Sequence, residues 1–169
     1  KRTKKNYLRA SGNKLDMSNV LLAQLLKAIK QVVTDAKAGK YSGKWSTGDY
    51  ANKFLPARFA REVGLQFKKL TNGKGIIKLT SSNALLVNPA NKADTWESSA
   101  IESKFLSSDW ERNKVVAEVT SAGYRLILPE YYKSGCLGCH GGVQGKKIHA
   151  QPVSGNLGDF GGAISVILK

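Results

Sequence analysis

Only two cysteines occur among the 169 residues, three positions apart, with a histidine directly after the second: Cys136-Leu137-Gly138-Cys139-His140. Two thiols at that spacing can each add across one of the two vinyl groups on a haem edge. The adjacent histidine then lies under the iron. The expected cofactor is one covalently bound haem c, attached through Cys136 and Cys139, with His140 as axial ligand to the iron. Gly138 permits a tight turn against a porphyrin, and Gly141 and Gly142 let the backbone leave close to the ring. Two other chemistries use these residue types. A thioredoxin-like dithiol sits at a helix start in a βαβ pattern, which this chain lacks. A zinc site would need Cys136, Cys139, His140 and His149, the whole Cys and His complement, and the adjacency of Cys139 and His140 suits a tetrahedron poorly.

The opposite side of the iron decides between functions. A strong sixth ligand favours electron transfer, whereas a weak or absent one leaves room for NO or CO. Met17 is the only methionine and His149 the only other histidine, so these are the candidate sixth ligands. Each has a plainer reading, Met17 as core and His149 as a polar surface residue, and water or a vacant position remains open as well.

The elements that must carry this motif can be read from periodicity. A helix is expected from Asp16, with Val20, Leu21, Leu25, Ile29, Val32, Val33 and Ala36 along one broad stripe and Gly39 as its stop. Residues 39–53 read as a loop held by Tyr41, Trp45 and Tyr50. A second helix opens near Pro56, with Phe59, Val63, Phe67 and Leu70 at helical spacing, and ends at Asn72-Gly73. Residues 75–80 read as a strand, and residues 81–93 as an irregular loop. A third helix is capped by Asp94 with Glu97 three residues on, and Ile101 and Phe105 form its apolar face. Residues 115–119 and 124–128 flank Ser121-Ala122-Gly123 as a β-hairpin. A helical turn at 130–134 would deliver the cysteines, and residues 162–168 close the chain as a strand. The order predicts an α+β domain over residues 15–169, preceded by a basic flexible arm at 1–14.

Charge narrows the partners. The chain holds 27 basic and 12 acidic side chains, a net +15, and its first fourteen residues hold six basics and no acid. The basics are Lys-rich and scattered without a recognition motif, so nucleic acid is not an expected partner. A solvated surface, proximity to an anionic membrane through the basic N-terminus, or an acidic redox partner protein remain. No apolar run reaches transmembrane length. The chain starts at Lys1 and reads as a mature or excised soluble segment. Covalent haem attachment implies a periplasmic or otherwise extracytoplasmic location.

Several ordered motifs accompany the cysteines. They are Lys53-Phe54-Leu55-Pro56-Ala57-Arg58-Phe59-Ala60, Lys78-Leu79-Thr80-Ser81, residues 88–97 (NPANKADTWE) and Gly158-Asp159-Phe160-Gly161-Gly162-Ala163-Ile164-Ser165-Val166. From about Lys53 to the C-terminus the chain resembles the haem c-binding PAS-like sensor domains. These occur as periplasmic input domains of bacterial chemoreceptors and sensor kinases, and as small stand-alone haem proteins. The resemblance implies a PAS-like fold: a central antiparallel sheet, flanking helices and a long N-terminal helix that often mediates dimerisation. It also implies haem held against the sheet with His140 proximal, and sensing of redox state or a diatomic gas. Two departures matter. Where many members have Arg-Asn-Pro, this chain has Val87-Asn88-Pro89. Some members supply a distal Cys or Met from an N-terminal helix, and here only Met17 could do so.

Arg58, Arg61 and Lys53 are candidates for pairing with haem propionates, against a reading as surface charge. Trp96, Tyr124, Tyr131 and Phe160 are candidates for the haem-pocket lining, against plain core packing. The leading expectation is a redox or NO/CO sensory domain, possessing no enzymatic activity and dimerising through the N-terminal helix. The alternative is a small periplasmic electron-transfer cytochrome c. Peroxidase-like or nitrite chemistry ranks last, because no distal His–Arg pair is evident.

Overall fold

The computed structural model describes residues 12–41, 55–142 and 155–169, with the backbone alone for 12–19. Lys53, Trp45, Tyr50 and His149, the side chain of Met17 and most of the expected basic arm lie outside those residues. The chain divides into two compact units, Lys1–Gly75 and Ile76–Lys169.

The first unit is helical. Helix α1 spans Gly12–Lys37, starting four residues before the expected Asp16, and α2 spans Pro56–Leu70. The chain leaves α1 through Gly39, whose φ of 73° lies in the left-handed region that favours glycine. Ala28 and Val32 are the fully buried positions of α1, with Leu21, Leu25 and Ile29 half-buried beside them. The expected stripe is therefore too broad: Val20, Val33 and Ala36 are exposed. Seven positions spread over a wide arc at 100° per residue, and the centre of an arc is what a partner helix covers most fully. On α2, Val63 and Phe67 are buried while Leu70 is exposed, which corrects its place in the apolar face. Thr71 ends α2. Its hydroxyl donates to the Phe67 carbonyl at 2.8 Å and accepts from the Gly75 N–H at 3.0 Å. Asn72 and Gly73 then turn the chain with φ of 49° and 77°.

The second unit is α+β. Its sheet has the order β1-β4-β3-β2, where β1 is Gly75–Thr80, β2 Val116–Thr120, β3 Gly123–Tyr131 and β4 Phe160–Leu168. Strand β3 pairs antiparallel with both β2 and β4. The β2–β3 hairpin turns through Ser121-Ala122, with Thr120 opposite Gly123. Gly123 has φ 115° and faces the Leu168 carbonyl so closely that a Cβ would not fit.

Between β1 and β2 lie two 3-10 turns, Asn83–Leu85 and Pro89–Asn91, then α3 at Thr95–Ala100, which continues as a π-helical turn over Ile101–Phe105. Asp94 caps α3 as expected. It accepts from the Glu97 N–H at 2.9 Å, and its own N–H donates to Glu97 Oε2 at 2.9 Å. Ile101 and Phe105 enter the core with Ala100, Ile127, Phe160 and Ala163. This core covers one sheet face. By pleat alternation Leu126, Leu128, Ile164, Val166, Ile77 and Leu79 lie on the other face, all half-buried.

Candidate functional site

The cysteines do not follow a helical turn at 130–134, as the sequence suggested. Glu130 and Tyr131 remain in β3, because they keep pairing with Gly162 and Phe160 across a bulge. The helix comes later: α4, Ser134–His140, carries Cys136, Cys139 and His140 themselves. Positions three and four apart share a helix side, so both thiols and the imidazole project from neighbouring parts of one short element. Both cysteines are free thiols of intermediate exposure. The Lys133 N–H points at Cys136 Sγ across 3.4 Å. A Cβ placed on Gly135, Gly138 or Gly142 would meet no described atom within 4 Å. Among the described residues, no group of three or more His, Cys, Asp or Glu side chains gathers into a metal-holding cluster.

The start of α4 is anchored by β3. Tyr131 packs into the helix-covered core, 6.2 Å from Phe160, and Arg112 lies 4.9 Å over its ring. Tyr132 turns the other way. Its backbone N–H donates to the Asp159 carbonyl and its carbonyl accepts from the Gly158 N–H, at 2.9 and 2.8 Å. Its ring stacks on the His140 imidazole with centroids 5.3 Å apart and planes 20° from parallel. Burial, then the neighbouring Cys136 and Asp159, holds the Tyr132 phenol above its ordinary range. The Gly155 N–H donates to the His140 carbonyl at 2.7 Å, which fixes the end of α4 as well. Sequence reasoning passed over Tyr132. The sequence signal for it was only its proximity to the motif and the glycines at 155 and 161.

Trp96, Tyr131 and Phe160 belong to or flank the core between sheet and helices. The Trp96 indole donates to Glu118 Oε2 at 2.7 Å, and Arg125 lies 4.5 Å over its ring. Tyr124 is 43% exposed at the opposite end of β3. Arg58 and Arg61 sit on α2, in the first unit, whereas the motif sits in the second. A cavity of about 420 Å³ adjoins the start of α4, and Arg112, Lys133 and the acidic Glu130 line it with Tyr131, Tyr132 and Ser134. A larger one of about 530 Å³, along α3, has only Ala93, Asp94, Thr95, Ser98, Ser99, Glu102 and Ser103 around it, with no thiol or imidazole.

A group of paired charges around one buried carboxylate also escaped the sequence reading. Glu97 is fully buried on α3. Lys78 Nζ lies 2.8 Å from its Oε2, and Arg125 Nη2 lies 3.4 Å from its Oε1 and 2.7 Å from Asp94 Oδ2. Burial opposes the charge of Asp94, but the Arg125 hydrogen bond, the Glu97 N–H and the charges of Arg125 and Lys78 outweigh it and hold the carboxyl below its ordinary value. These groups neutralise one another two against two, so they knit α3 to the sheet.

The site thus offers two free thiols and an imidazole on one helix, with Arg112, Lys133 and the acidic Glu130 lining the cavity at its start. That donor set fits covalent attachment of a haem edge. In class the molecule is an α+β protein with a four-stranded antiparallel sheet and a thiol-bearing helix at the end of β3. The family model described as Tll0287-like: Tll0287 matches residues 7–168, and the chain belongs to that family. The fold is similar to the crystal structure of the cyanobacterial heme-protein Tll0287, with a TM-score of 0.52 and 17% identity over 87% of this chain and 93% of that one. No curated protein matches the chain.

Proposed function

We propose that this chain binds one haem c and serves as an extracytoplasmic, PAS-like sensory domain for redox state or a diatomic gas, without enzymatic activity of its own. The observation that carries the reading is the placement of Cys136, Cys139 and His140 on one seven-residue helix with both thiols free. The crystallised relative being a heme-protein supports it. A helical insertion between β1 and β2, flanking an antiparallel sheet, supports the PAS-like part.

In attachment each S–H adds across a vinyl C=C. Sulfur bonds one carbon, the proton goes to the other, and nothing leaves. When bound, the haem supplies a redox-active iron that can take a small ligand. His140 would hold the iron. Arg112 and Lys133 would give counter-charge to the propionates.

The net charge of +15 favours a second reading, an electron-transfer cytochrome steered to acidic partners. Absorption spectra of the oxidised and reduced holoprotein, with and without CO and NO, separate the two. A spectral change on gas addition is expected for the sensor. Low-spin iron that refuses both gases supports the carrier instead, and a chain that leaves the haem maturation pathway without covalent haem refutes both.

A further inference from the structure

We propose that Tyr132 is a positioning residue that sets the plane of the His140 imidazole, and through it the ligand field at the iron; this rests on the haem reading above. The Tyr132 ring is held on three sides. One face stacks on His140 at 5.3 Å and 20°. A Cβ at Gly161 would lie 2.8 Å from Tyr132 Cε1, and one at Gly155 would press on the opposite edge, at Cε2 and Cδ2. Glycine at both positions therefore forms a slot into which the phenol ring fits, leaving Tyr132 only 7% exposed.

The slot is itself fixed. Asp159 Oδ2 accepts from both the backbone and the side-chain nitrogens of Asn156 at 2.9 Å, which closes the turn between the two glycines. Gly158, at φ 84°, packs its backbone on Arg112.

Stacking suits this task for a chemical reason. The lone pair that an imidazole gives to a metal lies in the ring plane, so a partner on the ring face does not compete for it. The χ2 torsion of a histidine is intrinsically broad. A neighbouring aromatic face, at the spacing aromatic pairs prefer, selects one plane from that range. The Gly155 N–H on the His140 carbonyl fixes the backbone from which the ring hangs. Tyr132 thus acts through His140, by geometry, with its phenol oxygen dispensable.

The test compares Tyr132→Phe and Tyr132→Leu in the full-length holoprotein by ferric EPR and reduction potential. The same variants in haem-free full-length chain are read by the His140 ring-proton shift, with His149→Gln to assign it. Wild type and Tyr132→Phe are expected to share EPR g-values, potential and an upfield ring-current shift of His140. Tyr132→Leu loses the ring-current shift and moves both g-values and potential, while covalent haem content stays the same. Should Tyr132→Leu fail to fold, Gly161→Ala, which displaces the ring edge, is expected to move the same signals. A Tyr132→Leu or Gly161→Ala protein with wild-type g-values and potential overturns the proposal. A wild-type chain that takes up no covalent haem overturns the haem reading, with which this role for Tyr132 also falls.

Discussion

At its Arg125 end, β3 carries charges enclosed by their own counter-charges; just past its Tyr131 end, the chain presents two free thiols. Both regions contain polar groups in a small protein, but their chemistry is spent differently. Around Glu97, Lys78 from β1 and Arg125 from β3 supply the opposite charge, so the charges balance within the chain while Glu97 Oε1 and Arg125 Nε stay buried without a hydrogen bond. On α4 the thiols make no disulfide, and a Cβ on Gly135 or Gly138 within the helix, or on Gly142 just after it, would meet no described atom within 4 Å. The first arrangement links elements to one another. The second retains bonding capacity for a group from outside, and only the imidazole beside it is already restrained, by Tyr132.

The largest expected effect tests the second region. Replacing both Cys136 and Cys139 by Ser removes all covalent haem, read by mass and by retention of absorbance after denaturation. Haem-free stability should change by no more than about 0.5 kcal/mol, as for substitutions away from core and network positions. A loss of several kcal/mol would show that the thiols also hold the fold, and would erase the contrast.

Glu97→Ala should do the reverse. It leaves Arg125 and Lys78 without their shared carboxylate and costs about 3 kcal/mol in denaturant unfolding, the low end for breaking a buried pair, because Arg125 keeps Asp94. Covalent haem per folded molecule should be unaffected.

Asp94 sharpens the comparison through pH. Its folded pKa lies below the ordinary 3.8. The stability it adds is therefore fully present above 3.8 and is lost as pH falls through the lower folded value. Asp94→Asn should flatten that acid limb of a Tm-against-pH curve by lowering Tm near neutrality, where the carboxylate's pairing with Arg125 is lost, while Tm below the folded value stays close to wild type. The smallest effect is expected at Val119, 79% exposed on β2, where Val119→Thr should stay within about 0.5 kcal/mol.

Local rules made much of this architecture legible in advance. The Asp94–Glu97 capping box, the Asn72-Gly73 stop, the β1 strand and the presence of the β2–β3 hairpin each depend on residues only a few positions apart, so short-range chemistry decides them; the turn itself is one residue shorter than the expected Ser121-Ala122-Gly123, because Gly123 pairs with Thr120. The apolar stripe of α1 was overdrawn because burial depends on which arc a partner covers. The late start of α4 was missed because β3 continues only through pairing with β4, a strand some thirty residues downstream.

The motif itself follows the same division. By itself the sequence determined that two thiols and a histidine stand close together, because they lie within five consecutive residues; that they share one helical turn was decided by where β3 ends. Only the tertiary structure decided what surrounds them. Trp96, Tyr131 and Phe160 went to the core, and Glu97 found its cations across the sheet. Tyr132 reached His140 because Gly155 and Gly161, distant in sequence, make a slot of the right width. Contacts of that kind depend on strand register and pleat direction, which set every side chain's face at once and which no local stretch of residues specifies.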